Sequence, residues 1–569
     1  MTTTRRPPPT TFPATAAPTP PARNGAGPET GRVLLGQVTA ADSEKGVTVH
    51  LRRGQSVEQL RQGQFVVIEG QFVRFFGTIS GFRLAATDPA VAQDPPDSDS
   101  RLVFETLGRS TTYAECTVRP SLELIHTGSV ETAGHGPGDE LAPARTIPGH
   151  FSTVYRAGGE DFAAVFGEEE TGKKFSIDTP RDMDVPVTID LGRLVERSNG
   201  IFGRSGTGKS ILARLLFCGL LKTNACVNLI FDMHSEYAYA RRMEDGTYAK
   251  GLRELFGGSK VVVYSLDEAD TTRPGKQIDR LIRIPLDFIE LEDLNSLQGE
   301  LGLTDAGLAA ATQLANRLGK GWMARLLEMP SDELKELVKE IGGHEGSIDA
   351  LKRRLQRISG LSFVKTGTNL QQSGIQDLIA SLEAGRNVIL QFGRNNSLLA
   401  YMLVANLITR RIHDRWVELT EAAEQAGQAH SRPLMITIEE AHKFLSQGQS
   451  IFSTIARELR KYSVTLLIVD QRPSSIDPDV MSQLGTRITA LLSDERDIDA
   501  VFTGMRGGHF KNILATLDTK QEVLVFGHAV PMEVVLRTRN FDEKLYAAVA
   551  PHAGRSVQEK AAAALDDLF

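Results

Sequence analysis

Eight consecutive residues, Gly203, Arg204, Ser205, Gly206, Thr207, Gly208, Lys209 and Ser210, carry the most legible chemistry in this chain. They fit the spacing G-x-x-x-x-G-K-[ST], in which glycines let backbone N–H groups converge on phosphate oxygens at a helix N-terminus. Lys209 would reach the β and γ phosphates of ATP, and the Ser210 hydroxyl would complete a Mg²⁺ shell. All eight are therefore candidate nucleotide-binding residues. A second stretch, from Gly167 to Lys174, has nearly the same spacing. There Glu168, Glu169 and Glu170 would put carboxylates where phosphates must sit, and Lys174 replaces the hydroxyl, so it reads as a solvated turn.

Hydrolysis asks for two carboxylates at the C-terminal end of a strand beside the phosphate loop, one to hold Mg²⁺ and one to polarise the attacking water. The stretch LMITIEEAH (434–442) supplies them, with Glu439 assigned to the metal and Glu440 to the base. On the following strand, TLLIVDQRP (465–473) places Gln471 to sense the γ phosphate. Between the two, ARELRK (456–461) offers Arg457 and Arg460, either of which would reach the γ phosphate of a neighbouring subunit. The stretch FDMHSEY (231–237) ends a strand, so Asp232, His234 and Glu236 could edge the same site.

These residues need a parallel sheet to bring them together. Gly200–Phe202 reads as the strand before the loop and Ser210–Leu221 as the helix after it. Further apolar runs predict strands at Val227–Asp232, Lys260–Leu266, Asn387–Phe392, Leu434–Ile438, Thr465–Val469 and Ile488–Leu492, alternating with helices. Glu522–Phe526 and Glu533–Arg537 predict a closing hairpin. Residues 291–360 read as a helical insert between the two parts of the core, 179–290 and 361–540. In it Leu334, Leu337, Val338 and Ile341 share one helix face, Gly342 and Gly343 stop that helix, and Ile348, Leu351, Leu355 and Ile358 repeat the stripe. Lys352, Arg353, Arg354 and Arg357 beside that second stripe read as a solvated face or a nucleic-acid contact.

Upstream, residues 1–30 hold eight of the 25 prolines and predict a disordered tail. Residues 31–178 predict a small β-barrel and a transition. Its strands are expected at Val33–Val38, Val47–Leu51, Phe65–Glu69, Phe72–Ile79, Phe82–Ala85 and Ala114–Val118, with a linker over 88–100 and a glycine-rich stretch over 135–139. Residues 541–569 form a C-terminal tail.

A chain of 569 residues, 41% hydrophobic and 24% charged, is ordinary for a globular protein of several domains. A net charge of -7 argues against nucleic acid coating the whole surface and leaves room for a basic pore. The three cysteines are far apart, which fits a reducing cytoplasm and neither disulfides nor a zinc site. Arg5 and Arg6 are followed by prolines where an export signal needs an apolar run, and no stretch reaches membrane-spanning length. A cytoplasmic protein is expected.

Taken in order, a β-barrel, GRSGTGKS, FDMHSEY, IEEAH, ARELRK, DQRP and a terminal strand pair resemble the HerA branch of the FtsK/HerA translocases, over residues 31–540. The resemblance implies an α/β fold with a RecA-like P-loop ATPase core, a HAS-type barrel and the helical insert. It also implies a homo-hexamer that uses ATP and Mg²⁺ to move double-stranded DNA through its pore as a helicase, with a NurA-type nuclease partner in DNA end resection and repair. Relatives in antiviral defence suggest the alternative of an ATPase scaffold gating a nuclease or sirtuin-like effector. A membrane-bound coupling ATPase and a small-molecule kinase fit less well. The chain departs from the family at Ser235, where glycine is usual, and at Arg197 and Ser198, where Arg-His is usual. A pore that tracks duplex DNA of any sequence would use cations on loops, and Arg394, Arg506 and Lys511 are the candidates.

Overall fold

The computed structural model describes residues 32–551 except 54, 89, 91–92, 94–110, 126–140, 170–171, 182, 243–245, 368–372, 428–431, 446–458, 506–509 and 519–520. The expected N-terminal tail, the glycine-rich stretch at 135–139 and most of the linker and of the C-terminal tail lie outside the described residues. So do Arg457 and Arg506.

The first seven strands are β1 (Leu34–Asp42), β2 (Gly46–Leu51), β3 (Phe65–Glu69), β4 (Val73–Ala86), β5 (Thr112–Ile125), β6 (Leu141–Pro143) and β7 (Thr153–Arg156). They pair antiparallel in the order β2-β1-β7-β3-β4-β5, and β5 pairs back onto β2, so six strands close into a barrel with β6 on its rim. Val47, Val49 and Leu51 point into the barrel core beside Val38, Ile68 and Phe75, which is the period of two expected from the sequence. The two strands expected at Phe72–Ile79 and Phe82–Ala85 are instead one strand. Its register shifts at Phe76/Gly77 and Ile79/Gly81, where bulges bend β4 around the barrel. At Gly77 a side chain is impossible, because a Cβ would lie 2.3 Å from the Arg119 carbonyl oxygen. The strand expected at Ala114–Val118 likewise grows to fourteen residues, because β4 and β2 both pair with it.

The second sheet has twelve strands. In chain order they are β8 (Lys174–Pro180), β9 (Val187–Asp190), β10 (Asn199–Phe202), β11 (Val227–Asp232), β14 (Val261–Ser265), β15 (Arg280–Leu281), β18 (Asn387–Gln391), β19 (Leu434–Glu439), β20 (Val464–Asp470), β21 (Thr486–Thr489), β22 (Glu522–Gly527) and β23 (Val534–Thr538). The two-residue pairs β12 (Arg241–Arg242) with β13 (Tyr248–Ala249), and β16 (Ile284–Pro285) with β17 (Val364–Lys365), stand apart. The sheet order is β15-β14-β18-β11-β19-β20-β10-β21-β22-β23-β8-β9, parallel from β15 to β21 and antiparallel beyond. The expected closing hairpin is β22–β23, and the strand expected at Ile488–Leu492 begins two residues earlier, at Thr486.

Alternate residues of the parallel strands feed two cores on opposite faces. Phe231, Tyr264 and Ile468 enter one, and Ile230, Val263 and Leu467 enter the other. The helix Lys209–Thr223 buries Leu212, Leu216 and Phe217 in the second core. The helices between Leu291 and Ser359 pack into the first, so the inserted segment shares a core with the sheet. Both expected stripes pack there, with Ile341 at the end of the first only partly buried, and Gly342 follows that helix at φ +65°. Three of the four basic residues beside the second stripe are used internally. Lys352, Arg354 and Arg357 donate to the carbonyls of Met329, Leu301 and Glu300 at 2.7–2.8 Å, at the C-terminal ends of neighbouring helices. In the false phosphate loop, whose residues 170–171 lie outside the described residues, Gly167 caps the helix Gly159–Phe166, and the Lys174 ammonium donates to the Phe166 carbonyl at 2.9 Å.

Arg487 on β21 is buried, and no carboxylate pairs with it among the described residues. Its guanidinium donates to the carbonyls of Met481, Val501 and Thr503, and burial pushes its pKa down to about 10. Arg487→Met keeps the volume but leaves those carbonyls without their donor. A loss of about 3 kcal/mol is expected, read as a lower denaturant midpoint at unchanged slope.

Candidate active site

The loop after β10 turns on three glycines, Gly203 at φ +158°, Gly206 at +80° and Gly208 at +82°. At Gly203 a Cβ would meet Thr207 Oγ1 at 2.7 Å and Ala490 at 2.9 Å, whereas the space around Gly206 and Gly208 is open. Gly208 caps the helix that starts at Lys209, so the first N–H groups of that helix have no intrahelical acceptor. The Thr207 hydroxyl donates to the Arg204 carbonyl at 2.8 Å, and the Lys209 ammonium donates to the same oxygen at 2.9 Å.

The acidic strand is not the neighbour of β10. β20 lies between β10 and β19, pairing Phe202 with Asp470 on one side and Glu439 with Val469 on the other. The glutamates stand at the C-terminal end of β19, as expected, with one strand between them and the strand of the loop. The end of β20 lies directly beside the loop and that of β19 one place further along the sheet, and carboxylates from both act on Lys209. Burial lowers the Lys209 pKa, while Glu440, Asp470 and Glu439, in that order of influence, hold its proton on.

Glu439 and Glu440 sit in different surroundings. Glu439 is 6% exposed, and burial first, then the nearby Asp232 charge, pushes its pKa up to about 8. Its Oε1 accepts from the Tyr237 hydroxyl at 2.6 Å, and its Oε2 has no hydrogen-bond partner among the described residues. Glu440 is only part-buried and takes φ +50°, a strained left-handed conformation that turns the chain out of the strand. Gln471 Nε2 lies 3.2 and 3.3 Å from its two carboxylate oxygens. The His442 ring Nε2 is 3.8 Å from Glu440, and Lys443 Nζ is 4.0 Å away.

Asp470, which the sequence reading left without a role, is fully buried at the end of β20. It accepts from the backbone N–H groups of His442 and Arg472, both at 2.7 Å, and faces the His442 ring nitrogen Nδ1 at 3.1 Å. That contact raises the His442 pKa. The signal for Asp470 was present in its place before Gln471. Tyr401, which bonds both the N–H and the carbonyl of Glu439, is separated from it by 38 residues and left no local signal.

Of the three polar residues at and after the end of β11, Asp232 is fully buried and Glu236 pairs with Arg241 at the edge of the site. Burial pushes the Asp232 pKa up to about 6. Ser235 sits at φ +54°, in the left-handed region that favours the glycine usual there. The Ser198 hydroxyl, at the other departure, accepts from Leu466 N–H at 3.1 Å and ties the approach to β10 onto β20. Arg460 lies in the short turn Leu459–Tyr462.

Two of the pore candidates are engaged in ion pairs. Arg394 donates twice to Asp267, at 2.8 Å each, and Lys511 meets Asp499 at 2.6 Å. A glycine loop with open space, a lysine at a helix start and a buried carboxylate oxygen without a donor fit a nucleoside triphosphate with a divalent cation. Among the described residues no helix is long and apolar enough to cross a membrane.

Residues 176–412 match the family described as Helicase HerA, central domain. The DNA double-strand break repair helicase HerA of Pyrococcus furiosus is 23% identical over 455 residues, covering 74% of this chain and 78% of that protein. The protein of the same name from Sulfurisphaera tokodaii is 33% identical over 374 residues, covering 64% of this chain and 68% of that protein. Among solved structures, the bacterial conjugative coupling protein TrwB aligns with 65% of this chain and 89% of its own at a TM-score of 0.43 and 13% identity, a likeness too low to bear on function. With one residue in three shared across two thirds of the Sulfurisphaera protein, this chain belongs to the HerA family of P-loop ATPases.

Proposed function

We propose that this protein hydrolyses ATP to move along double-stranded DNA, as a ring of six subunits working with a NurA-type nuclease in end resection and repair. The observation that carries the reading is the pairing of Glu440 with Gln471 across the ends of β19 and β20, within electrostatic reach of Lys209. The names of the relatives, DNA double-strand break repair helicases, support DNA as the track.

In this reading the N–H groups from Gly206 to Ser210 cradle the phosphates and Lys209 neutralises them. Glu440 accepts the proton of the attacking water, while the Gln471 amide orients its carboxylate. Ser210 and Glu439 would hold Mg²⁺, which supplies charge neutralisation to the triphosphate when bound. Arg457 or Arg460 would complete the site of the next subunit.

The test is the hydrolysis rate with and without duplex DNA, measured beside native mass. Duplex DNA is expected to raise the rate, and six-fold mass to accompany it. DNA held through about six phosphates should lose roughly 10³-fold in affinity between about 50 and 200 mM salt. Neutralising Arg506 and Lys511 together is expected to lower DNA stimulation while DNA-free hydrolysis stays intact. The Lys511–Asp499 pair is exposed, so a phosphate can replace the carboxylate at little cost. DNA binding insensitive to both salt and the double change would remove the translocation reading.

A further inference from the structure

The carboxylate of Glu439 is held on one side only. Oε1 accepts from Tyr237 at 2.6 Å, while Oε2 is buried without a donor among the described residues. The main chain of Glu439 is fixed separately, since the Tyr401 hydroxyl accepts from its N–H at 3.1 Å and lies 3.2 Å from its carbonyl oxygen. What remains to be set is the side-chain rotamer, and the Tyr237 hydroxyl is the group that meets it.

Tyr237 is itself over-determined. The Asp232 carboxylate accepts from the N–H groups of Glu236 at 2.7 Å and Tyr237 at 3.1 Å, which closes the turn after β11. Arg214, on the helix that starts at Lys209, donates to the Glu236 carbonyl. From the same helix Phe217 packs edge-to-face with the Tyr237 ring, centroids 5.5 Å apart. The turn is thus clasped to the phosphate-loop helix on one side and reaches the acidic strand, 202 residues away, on the other.

We propose that Tyr237 is the positioning residue of the cation site: its hydroxyl engages Glu439 Oε1 and so leaves Oε2 as the oxygen available to a divalent cation or its water. The inference rests on the nucleotide reading of the site and adds to it a group that touches neither nucleotide nor metal. A donor that orients a ligating carboxylate commonly sets metal affinity by 10-fold or more.

Tyr237→Phe removes one hydroxyl and keeps the ring against Phe217. Tyr264→Phe is the matched control, because the Tyr264 hydroxyl, on β14, makes a buried 3.0 Å bond to Ser381 on the helix Ile375–Glu383. The measurement is Mn²⁺ binding to the ADP complex of the full chain, followed by electron paramagnetic resonance, beside ADP binding in chelator and thermal unfolding. Tyr237→Phe is expected to bind ADP normally without metal and to need about 10-fold more Mn²⁺ for half occupancy. Tyr264→Phe should lose comparable thermal stability with an unchanged Mn²⁺ requirement. An unchanged requirement in Tyr237→Phe, beside a normal wild-type response, overturns this inference alone. Failure of Tyr237→Phe to fold where Tyr264→Phe folds also overturns it, since the hydroxyl would then be a structural bond. A wild-type protein whose ADP complex takes up no Mn²⁺ removes the nucleotide reading and this inference together.

Discussion

Glu440→Gln is expected to bind ATP as the unsubstituted protein does and to hydrolyse it about 10²- to 10⁴-fold more slowly, the range for loss of a general base. The substitution is nearly isosteric and keeps an acceptor for the Gln471 amide, which lies 3.2 Å away. It removes only the capacity to take a proton. The strained φ of +50° at this position is independent of side-chain charge, so folding should be unaffected. Glu439 cannot substitute as the base, because it is almost wholly buried and already bonded to Tyr237. Equilibrium binding of a fluorescent ATP analogue and steady-state phosphate release separate the two effects. Normal turnover in this variant would remove Glu440 from the catalytic role.

Lys209→Ala is expected to weaken ATP binding by roughly 10- to 150-fold, the equivalent of about 1.5–3 kcal/mol for one hydrogen bond to a charged group. Its ammonium is the counter-charge to Glu440, Asp470 and Glu439. Without it, Glu440 and Asp470 would repel the triphosphate that the glycine loop attracts. Stability should change little, since the hydrogen bond found for the ammonium is to the exposed Arg204. The readout is nucleotide titration beside thermal unfolding. Unchanged affinity would show that the loop is not the phosphate site. The same variant tests assembly, because mixing it with a subunit lacking Arg457 and Arg460 should restore part of the hydrolysis if sites are shared.

The features legible in the sequence were those whose geometry is local. The glycine spacing from Gly203 to Gly208 dictates a loop conformation closed to other residues, and the structure adopts it with two φ values near +80°. Val47, Val49 and Leu51 alternate because a strand repeats every two residues, and Ile348, Leu351, Leu355 and Ile358 align because a helix turns every 3.6. Strand ends could be located because parallel strands covered on both faces must be continuously apolar until they reach the polar edge where Asp232, Glu439 and Asp470 stand.

What the chain order left open is which strand lies beside which. β20 slips between β19 and β10 because sheet order is decided by how the crossing helices pack, and no short-range pattern encodes that. Barrel closure joined two expected strands into one, since bulges at glycines keep a ladder going where the sequence suggests a break. Charge was the least legible property. Arg394, Lys352, Arg354 and Arg357 looked free on the page, but each found an acceptor 23 to 127 residues away. The sequence alone determined the phosphate loop, the acidic strand end and the alternation of elements, because each follows from backbone geometry over fewer than about twenty residues. Only the tertiary structure decided that Glu439 meets Tyr237, that Glu440 meets Gln471 and that Asp470 anchors His442, because a side chain's hydrogen-bond partner is chosen by proximity in space.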